Sequence, residues 1–475
     1  MLILYINKMK NNLINKILNR IAPVLIIKKS KFFNSKWYSN EYNIKQSNAA
    51  KHYFNIGYKK GNNPSKDFNN NLYIELYPSI LDMNPLLHYE LYGKNENKVY
   101  RDIYNDENSY YLSQYVKYII KEKNNLIYID LFLNNNSISG ARSYSIQKIN
   151  EMMNDNNVIL LEYKQYTNFW IVSINNNYLG EFNINYLERL IIDLNIKNLY
   201  INNLAYNSKI ENIINLLISV KKNNNIIYTY LFHDYLCICP SSFLLNDNNE
   251  PCANYLLDKC SSCLKNNKNS IIKRFSIEEW RKKFESLFDV VDKFIFFSEY
   301  SKAIISKVFC ATKSGTVIEH KSLLDEYATP YIKPRKEETI RIAFVGEYCY
   351  PKGAKIFENT IKLLKNNFKI KTYIIGNSVI KTPRDYIVTG KYERNNLGKI
   401  LSENKINLVI YPSIDNETFS YVAQELMQLN VPFTLFKCGA PYERVKNKKY
   451  NLAIVANETS ADSMYQAVRK LISKI

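Results

Sequence analysis

The run Leu408-Val-Ile-Tyr411 passes through Pro412-Ser413 into Glu417-Thr-Phe-Ser-Tyr-Val-Ala-Gln-Glu425. A four-residue apolar run stopped by Pro and Ser reads as a buried strand, and Phe419–Leu429 after it reads as a helix. The same alternation surrounds this stretch, with strands expected at Ile340–Val345 and Thr372–Ile375 and a helix near Ala354–Leu364. Short runs that are apolar throughout mark strands buried on both faces, the pattern of a parallel sheet covered by helices. A second series of this kind starts near Leu126. Its expected strands are Ile127–Leu133, Val158–Tyr163, Leu199–Asn202, Ile226–Phe232 and Phe294–Ser298, with helices at Ala141–Met153, Tyr186–Leu194 and Ile210–Val220. The charged, Pro-bearing stretch Lys333-Pro334-Arg335-Lys336-Glu337-Glu338 reads as the linker between them. The expected fold is therefore α/β, with two Rossmann-like doubly wound domains, residues 120–332 and 338–475, facing a cleft.

Ahead of them, residues 1–110 read as a small helical module containing a repeat. Asn48, His52, Tyr53 and Gly57 recur 36 positions later as Asn84, His88, Tyr89 and Gly93, with Trp37 and Tyr73 assigned the same aromatic slot. Each histidine occupies the same place in its own copy, so both are expected to be structural. Before the repeat, Leu13, Ile14, Ile17, Leu18 and Ile21 share one helical face, with Lys10, Lys16, Asn19 and Arg20 around it. Such a face docks on a neighbouring helix or lies on an anionic membrane surface.

The chain of 475 residues carries 64 Lys and Arg against 44 Asp and Glu, a net charge of +20, and is 46% hydrophobic. That apolar content excludes a disordered class. No apolar run reaches the roughly 18 residues that span a membrane, and no small-residue cleavage site follows the basic N-terminus, so a cytoplasmic location is expected. Basic pairs are scattered along the chain without interleaved aromatics, and no nucleic-acid partner is expected. A peripheral contact with anionic lipid on the inner face of the plasma membrane, or a lipid-pyrophosphate acceptor, suits this distribution; a diffuse solvated basic surface is the other reading.

Ligands of open α/β sheets bind at the carboxyl ends of the strands. Four features fall there. A helix starting near Thr418 would offer backbone N–H groups and its positive end to a phosphate, with Glu417 and Glu425 roughly 12 Å apart at about 1.5 Å per residue. Carboxylates that far apart can accept from separate sets of hydroxyls. Phe344-Val-Gly346 ends a strand and leads to Lys352-Gly353, a point charge for a phosphate beside a residue that permits close backbone approach. Gly140, in Ser139-Gly140-Ala141, starts a helix after the first strand, and His233-Asp234 closes the strand Ile226–Phe232.

In order along the chain, Gly140-Ala141, His233-Asp234-Tyr235, Ser298-Glu299, Gly346 with Lys352-Gly353, Pro412-Ser413, Glu417…Glu425 and Cys438-Gly439-Ala440 resemble glycosyltransferase family 4, which has the two-domain GT-B fold. The likeness spans about residues 126–475. The repeated Tyr…Asn-Pro-Leu-Leu-His-Tyr segment is similar to a module found ahead of bacterial surface-polysaccharide transferases. The resemblance implies retaining transfer of a sugar from a nucleotide-sugar donor, UDP- or GDP-linked, to a glycan or lipid-linked acceptor, with no metal essential for catalysis. It gives Glu425 the ribose, Glu417 the donor sugar, and the amides of Thr418 and Phe419 the sugar and diphosphate. It gives Lys352 the leaving diphosphate, His233 the transferred sugar, and Gly140, Gly346 and Gly353 the loops against the phosphates. Two positions depart from the pattern: Glu347 stands where an Arg is common, with Arg394 or Lys391 as substitutes, and Ser139 stands where a second Gly is usual. A non-catalytic GT-B protein that binds glycans or scaffolds other transferases is the alternative.

Five of the eight cysteines cluster after His233-Asp234. Cys239, Cys252, Cys260 and Cys263 have a spacing compatible with a structural zinc site, with disulfides or free thiols and an iron–sulfur cluster as the other readings. Cys310, Cys349 and Cys438 read as packing residues.

Overall fold

The computed structural model describes residues 23–77, 80, 83–95, 123–131, 140–164, 169–204, 210–241, 243–252, 257–268, 270 and 274–475. The amphipathic face of Leu13–Ile21 and the turn residue Ser139 lie outside them. The chain forms two compact units, one of Met1–Tyr115 with Lys164–Trp170 and Gly180–Tyr186, the other of Val116–Tyr163, Ile171–Leu179 and Leu187–Ile475.

In the first unit the repeat is realised around buried tyrosines. Helices Ala49–His52 and Pro85–His88 each run into a π-helical turn, Tyr53–Gly57 and Tyr89–Gly93. The Tyr38 hydroxyl meets His52 Nδ1 at 2.9 Å, and the Tyr73 hydroxyl meets His88 Nδ1 at 2.9 Å. A Cβ on Gly57 would stand 2.0 Å from the Tyr38 hydroxyl and one on Gly93 2.1 Å from that of Tyr73, which explains both glycines. The partner of Tyr73 is therefore Tyr38 and not Trp37. The slot requires a phenol that reaches the imidazole, and in the second copy the tyrosine and histidine lie one position further apart, 15 against 14. Each histidine is spent on its own tyrosine, in keeping with a structural role.

After the repeat the chain forms two sheets. In chain order the first is made of β1 Asn124–Asp130, β2 Asn156–Lys164, β3 Phe169–Ile174, β4 Asn177–Asn183, β5 Asn198–Asn203, β6 Ile227–Leu231, β7 Lys293–Phe296 and β8 Thr316–Val317, arranged β4-β3-β2-β1-β5-β6-β7-β8. The pairings from β2 through β1 to β8 are all parallel. The hairpin β3-β4 escaped the sequence reading, although Asn175 and Asn176, with φ of 48° and 67°, are the residue type a two-residue turn requires. The second sheet comprises β9 Ile340–Val345, β10 Ile370–Ile375, β11 Tyr386–Val388, β12 Leu408–Tyr411, β13 Phe433–Phe436 and β14 Ala453–Ala456, in parallel order β11-β10-β9-β12-β13-β14. Ile342, Phe344, Leu408 and Ile410 pack into one core, and Ala343, Val345, Val409 and Tyr411 into another, so both faces of this sheet are covered. No helix among the described residues is long and apolar enough to cross a membrane.

Strand order reverses between β9 and β12, which opens a crevice at their carboxyl ends. The loop after β9 enters helix Ala354–Lys365 through Gly353, at φ 81°, where a Cβ would stand 1.9 Å from the Pro412 carbonyl oxygen. This glycine permits a close approach to protein backbone. Gly353→Ala therefore meets both a left-handed φ and a backbone collision, and is expected to cost about 2–4 kcal/mol in urea unfolding; a cost under about 0.5 kcal/mol would refute the packing account.

Candidate active site

The ends of the two sheets enclose a cleft of about 560 Å³. Gly140, His233, Gly346, Lys352, Glu417, Thr418 and Phe419 line it, together with Asp234, His320, Glu347, Lys391 and Arg394. Of the residues singled out in the sequence, Gly353 and Glu425 are not on its wall.

Lys352 Nζ lies 2.7 Å from Glu417 Oε1 and 3.3 Å from Asp415 Oδ2. Burial works against the ammonium, but the two carboxylates outweigh it and hold its pKa above the ordinary value. Burial likewise opposes ionisation of Glu417; Lys352, Tyr411 and Ser413 reverse that and keep it below the usual carboxylate range. Tyr411 donates its hydroxyl to Glu417 Oε1, and the Ser413 hydroxyl donates to the same oxygen at 3.0 Å. Three donors on one oxygen fix this carboxylate, an ionised acceptor at the end of β12. Asp415 is pushed up to about 6, by burial first and by its neighbour Glu417, against the pull of Lys352.

The helix after β12 begins at Tyr421, later than the sequence suggested. Ser420 caps it with a φ of 73°, so Thr418 and Phe419 belong to the preceding turn and not to the first helical turn. Thr418 donates its hydroxyl to the His233 carbonyl at 2.9 Å, joining the two strand ends. Glu425 stands in the second turn of the helix, 1% exposed. Arg394 ion-pairs with its Oε1 and donates to Ser143 Oγ at 3.1 Å. Glu425 Oε2 is buried without a hydrogen-bond partner, and burial raises the pKa of this acid against the effect of Arg394. Lys391 is the cleft-lining cation that has no ion-pair partner among the described residues.

His233 closes the opposite wall. Its Nε2 lies 2.8 Å from Asn202 Oδ1, while Asn202 Nδ2 donates to Asp130 Oδ2 at 2.9 Å and to Ser145 Oγ at 2.8 Å. A carboxylate oxygen can only accept from the amide, so Asn202 presents its own oxygen to His233, and Nε2 carries the ring proton. Burial pushes the His233 pKa down to about 3, which leaves a neutral ring with Nδ1 as an acceptor. Gly140 starts helix Gly140–Met152, where a Cβ would come 3.3 Å from the Tyr421 ring.

Two further residues had no signal in the sequence. His320 is 6% exposed, stacks on Phe419 at 4.1 Å between centroids, and has no hydrogen-bond partner at either ring nitrogen among the described residues. Glu443, in helix Gly439–Asn447, accepts from the backbone N–H groups of Glu299 at 3.1 Å and Tyr300 at 2.5 Å. It caps helix Glu299–Val308 from the other sheet's side.

The cysteines are free thiols, and among the described residues no group of three or more His, Cys, Asp or Glu is gathered so as to hold a metal. The expectation of zinc at Cys239, Cys252, Cys260 and Cys263 is not met there. Cys239 Sγ takes the Ser241 N–H at 3.4 Å, Cys263 Sγ takes Asn267 Nδ2 at 3.7 Å, and Cys260 Sγ lies 4.0 Å from Arg281 Nη2.

Two covered parallel sheets with a cleft at their strand ends make this a protein of the GT-B fold. Residues 339–474, the second sheet and its helices, match the family described as Glycosyl transferases group 1. No curated protein matches the chain in sequence. Among solved structures it is similar to sucrose-phosphate synthase from Thermosynechococcus elongatus, at 10% identity over 74% of this chain and 90% of that one, TM-score 0.49. It is similar to HepE from Anabaena in complex with UDP and glucose, at 11% identity over 73% and 89%, TM-score 0.46. It is also similar to the lipopolysaccharide outer core galactosyltransferase WaaB, at 10% identity over 74% and 90%, TM-score 0.48.

Asp234 tests the electrostatics of the cleft. Burial pushes its pKa up to about 6, against the Leu236 N–H that it accepts at 2.8 Å. A folded-state pKa above the unfolded one means that the stabilising contribution is present at low pH and lost as pH rises through about 6. Asp234→Asn keeps the acceptor without the charge. The variant is expected to exceed the parent in stability by about 1–2 kcal/mol at pH 7.5 and to lose that advantage at pH 4; equal stability at both pH values would contradict it.

Proposed function

We propose that the protein is a retaining glycosyltransferase that moves a sugar from a UDP- or GDP-sugar to a glycan or lipid-linked acceptor in the synthesis of cell-surface polysaccharide or another glycoconjugate. The observation that carries this reading is the pinned Lys352–Glu417 pair at the switch point of the sheet matched to the transferase family. Lys352 meets the negative charge that grows on the diphosphate as the bond to the anomeric carbon breaks, so the charge is answered by side chains and not by an essential metal. Lys391, unpaired, adds a second cation to the same cleft. Glu417 accepts from donor-sugar hydroxyls. Glu425 Oε2, without a hydrogen-bond partner among the described residues, accepts from a ribose hydroxyl once the Arg394 side chain lets the nucleotide approach. His233 Nδ1 takes a hydroxyl of the transferred sugar. Transfer proceeds on one face of the sugar, with the departing diphosphate oxygen taking the proton of the acceptor hydroxyl, so the anomeric configuration is kept. The net charge of +20 supports a peripheral contact with anionic lipid, where a lipid-linked acceptor resides.

Glu347 favours a second reading. It lines the cleft where a phosphate-binding Arg would be expected, as a non-catalytic, glycan-binding or scaffolding GT-B protein would tolerate. Lys352→Ala separates the two. For the enzyme, donor hydrolysis or transfer by the purified chain, screened against a panel of UDP- and GDP-sugars, is expected to fall by about 10²–10³ with unchanged circular dichroism. Absence of nucleotide-sugar turnover in the folded parent across the whole panel, with glycan binding retained, would move the assignment to the second reading.

A further inference from the structure

The turn between β12 and helix Tyr421–Gln428 is held in a conformation its sequence does not favour. Ser420 sits at φ 73° and ψ 104°, which a residue with a side chain holds only where its surroundings enforce it. Arg444 supplies the enforcement. It is 3% exposed, in helix Gly439–Asn447, and donates Nη2 to the Phe419 carbonyl at 3.1 Å and Nη1 to the Ser420 carbonyl at 3.2 Å. Its guanidinium carbon lies 3.9 Å from the centre of the Phe419 ring, the ring that also stacks on His320.

The consequence follows from peptide geometry. In a trans peptide the carbonyl and the N–H that share a plane point in opposite directions. With the Phe419 and Ser420 carbonyls turned to Arg444, the N–H groups of Ser420 and Tyr421 turn away from it. Neither N–H has an acceptor among the described residues, and both residues line the cleft. Two adjacent N–H groups without acceptors, at the start of a helix, form a cradle for an anion. No carboxylate lies within ion-pair distance of Arg444 among the described residues; its partners are two carbonyls and a ring.

We propose that Arg444 is a positioning residue for anion binding. It locks the Thr418–Tyr421 turn so that the Ser420 and Tyr421 amides face the diphosphate of the donor, without itself touching the ligand. This deepens the nucleotide-sugar reading and rests on it.

The test compares the full chain with Arg444→Met and Arg444→Lys in calorimetric titrations with UDP, GDP, uridine, guanosine and inorganic pyrophosphate, alongside thermal unfolding. Arg444→Met is expected to weaken the preferred nucleoside diphosphate and pyrophosphate by at least about 10-fold, near the loss of one charge-assisted contact, while the nucleoside changes by less than about 2-fold. Arg444→Lys, which keeps the charge but cannot hold both carbonyls and the ring, is expected to fall between. Equal losses for nucleoside and diphosphate would show a merely structural residue, and unchanged diphosphate affinity would show no role; either overturns the proposal. Where the Met variant fails to fold, the Lys variant decides on the same criterion. Pyrophosphate binding by the parent without nucleoside diphosphate binding would sink the donor assignment and leave the cradle standing, provided Arg444→Lys still weakens pyrophosphate. An inability of the folded parent to bind either would sink both.

Discussion

The carboxylate of Glu417 is the constraint on which the cleft depends. One of its oxygens receives donors from Tyr411 on β12, Ser413 after it and Lys352 from the loop after β9. The two strands at the switch point are thereby tied at their ends by a single anion. Its burial is tolerable only because those donors replace the water it lost. From that fixed point the chain has three residues in which to reach the helix. In them Thr418 bonds to the His233 carbonyl, Phe419 enters an aromatic cluster with Tyr144, Phe297 and Tyr421, and Ser420 takes its left-handed φ. The geometry of the wall beneath the second sheet and its attachment to the first thus share one origin.

That origin also explains why the turn needs so much support. A chain that anchors a carboxylate at Glu417 and starts a helix four residues later leaves its carbonyls pointing toward a buried interior, where each must find a donor. The guanidinium of Arg444 meets two of them at once and has the planar face for the ring between. Glycine at 420 would remove the backbone strain, but it would also remove the hydroxyl that meets the Tyr411 hydroxyl at 2.9 Å and caps the Ala423 N–H at 3.4 Å. The serine exchanges an easy φ for two hydrogen bonds.

The fold was legible where burial writes itself into the chain. The strands β9 and β12 have the bounds read from their apolar runs, because a strand covered on both faces cannot carry polar residues in its middle. The last two strands of the second sheet and the helices after them were not read, since Phe433–Phe436 is interrupted by Thr434 and Ala453–Ala456 is half alanine, so neither stands out as the continuous bulky run of β12 does. At the site, Glu417, Lys352 and His233 were visible because strand ends concentrate polar groups there. His320, Arg444 and Glu443 were not. Each acts through a contact far along the chain: a stack on Phe419, two carbonyls of the turn, two amides of helix Glu299–Val308. No local periodicity encodes such contacts. The aromatic slot of the repeat failed by one residue for a related reason, because identity at a fixed period cannot see that a phenol must reach an imidazole.

The charge of the whole molecule and that of its cleft run in opposite senses. The chain carries +20, yet Asp234, Glu347, Asp415 and Glu417 line the cleft together with Lys352, Lys391 and Arg394. On the proposed transferase reading, a diphosphate entering this space gains little from a general positive field. It must be recognised at short range, by an ammonium already oriented between two carboxylates and by amides that lack acceptors. Short-range donors discriminate between a phosphate and a carboxylated or neutral ligand by geometry, and they lose less to added salt than a diffuse field does. The surplus positive charge is then left to the outer surface, where it would act on partners of the opposite sign without competing with the site. On that same reading, the pairing of a basic exterior with a locally balanced cleft separates attraction to an anionic surface from selection of the ligand that reacts.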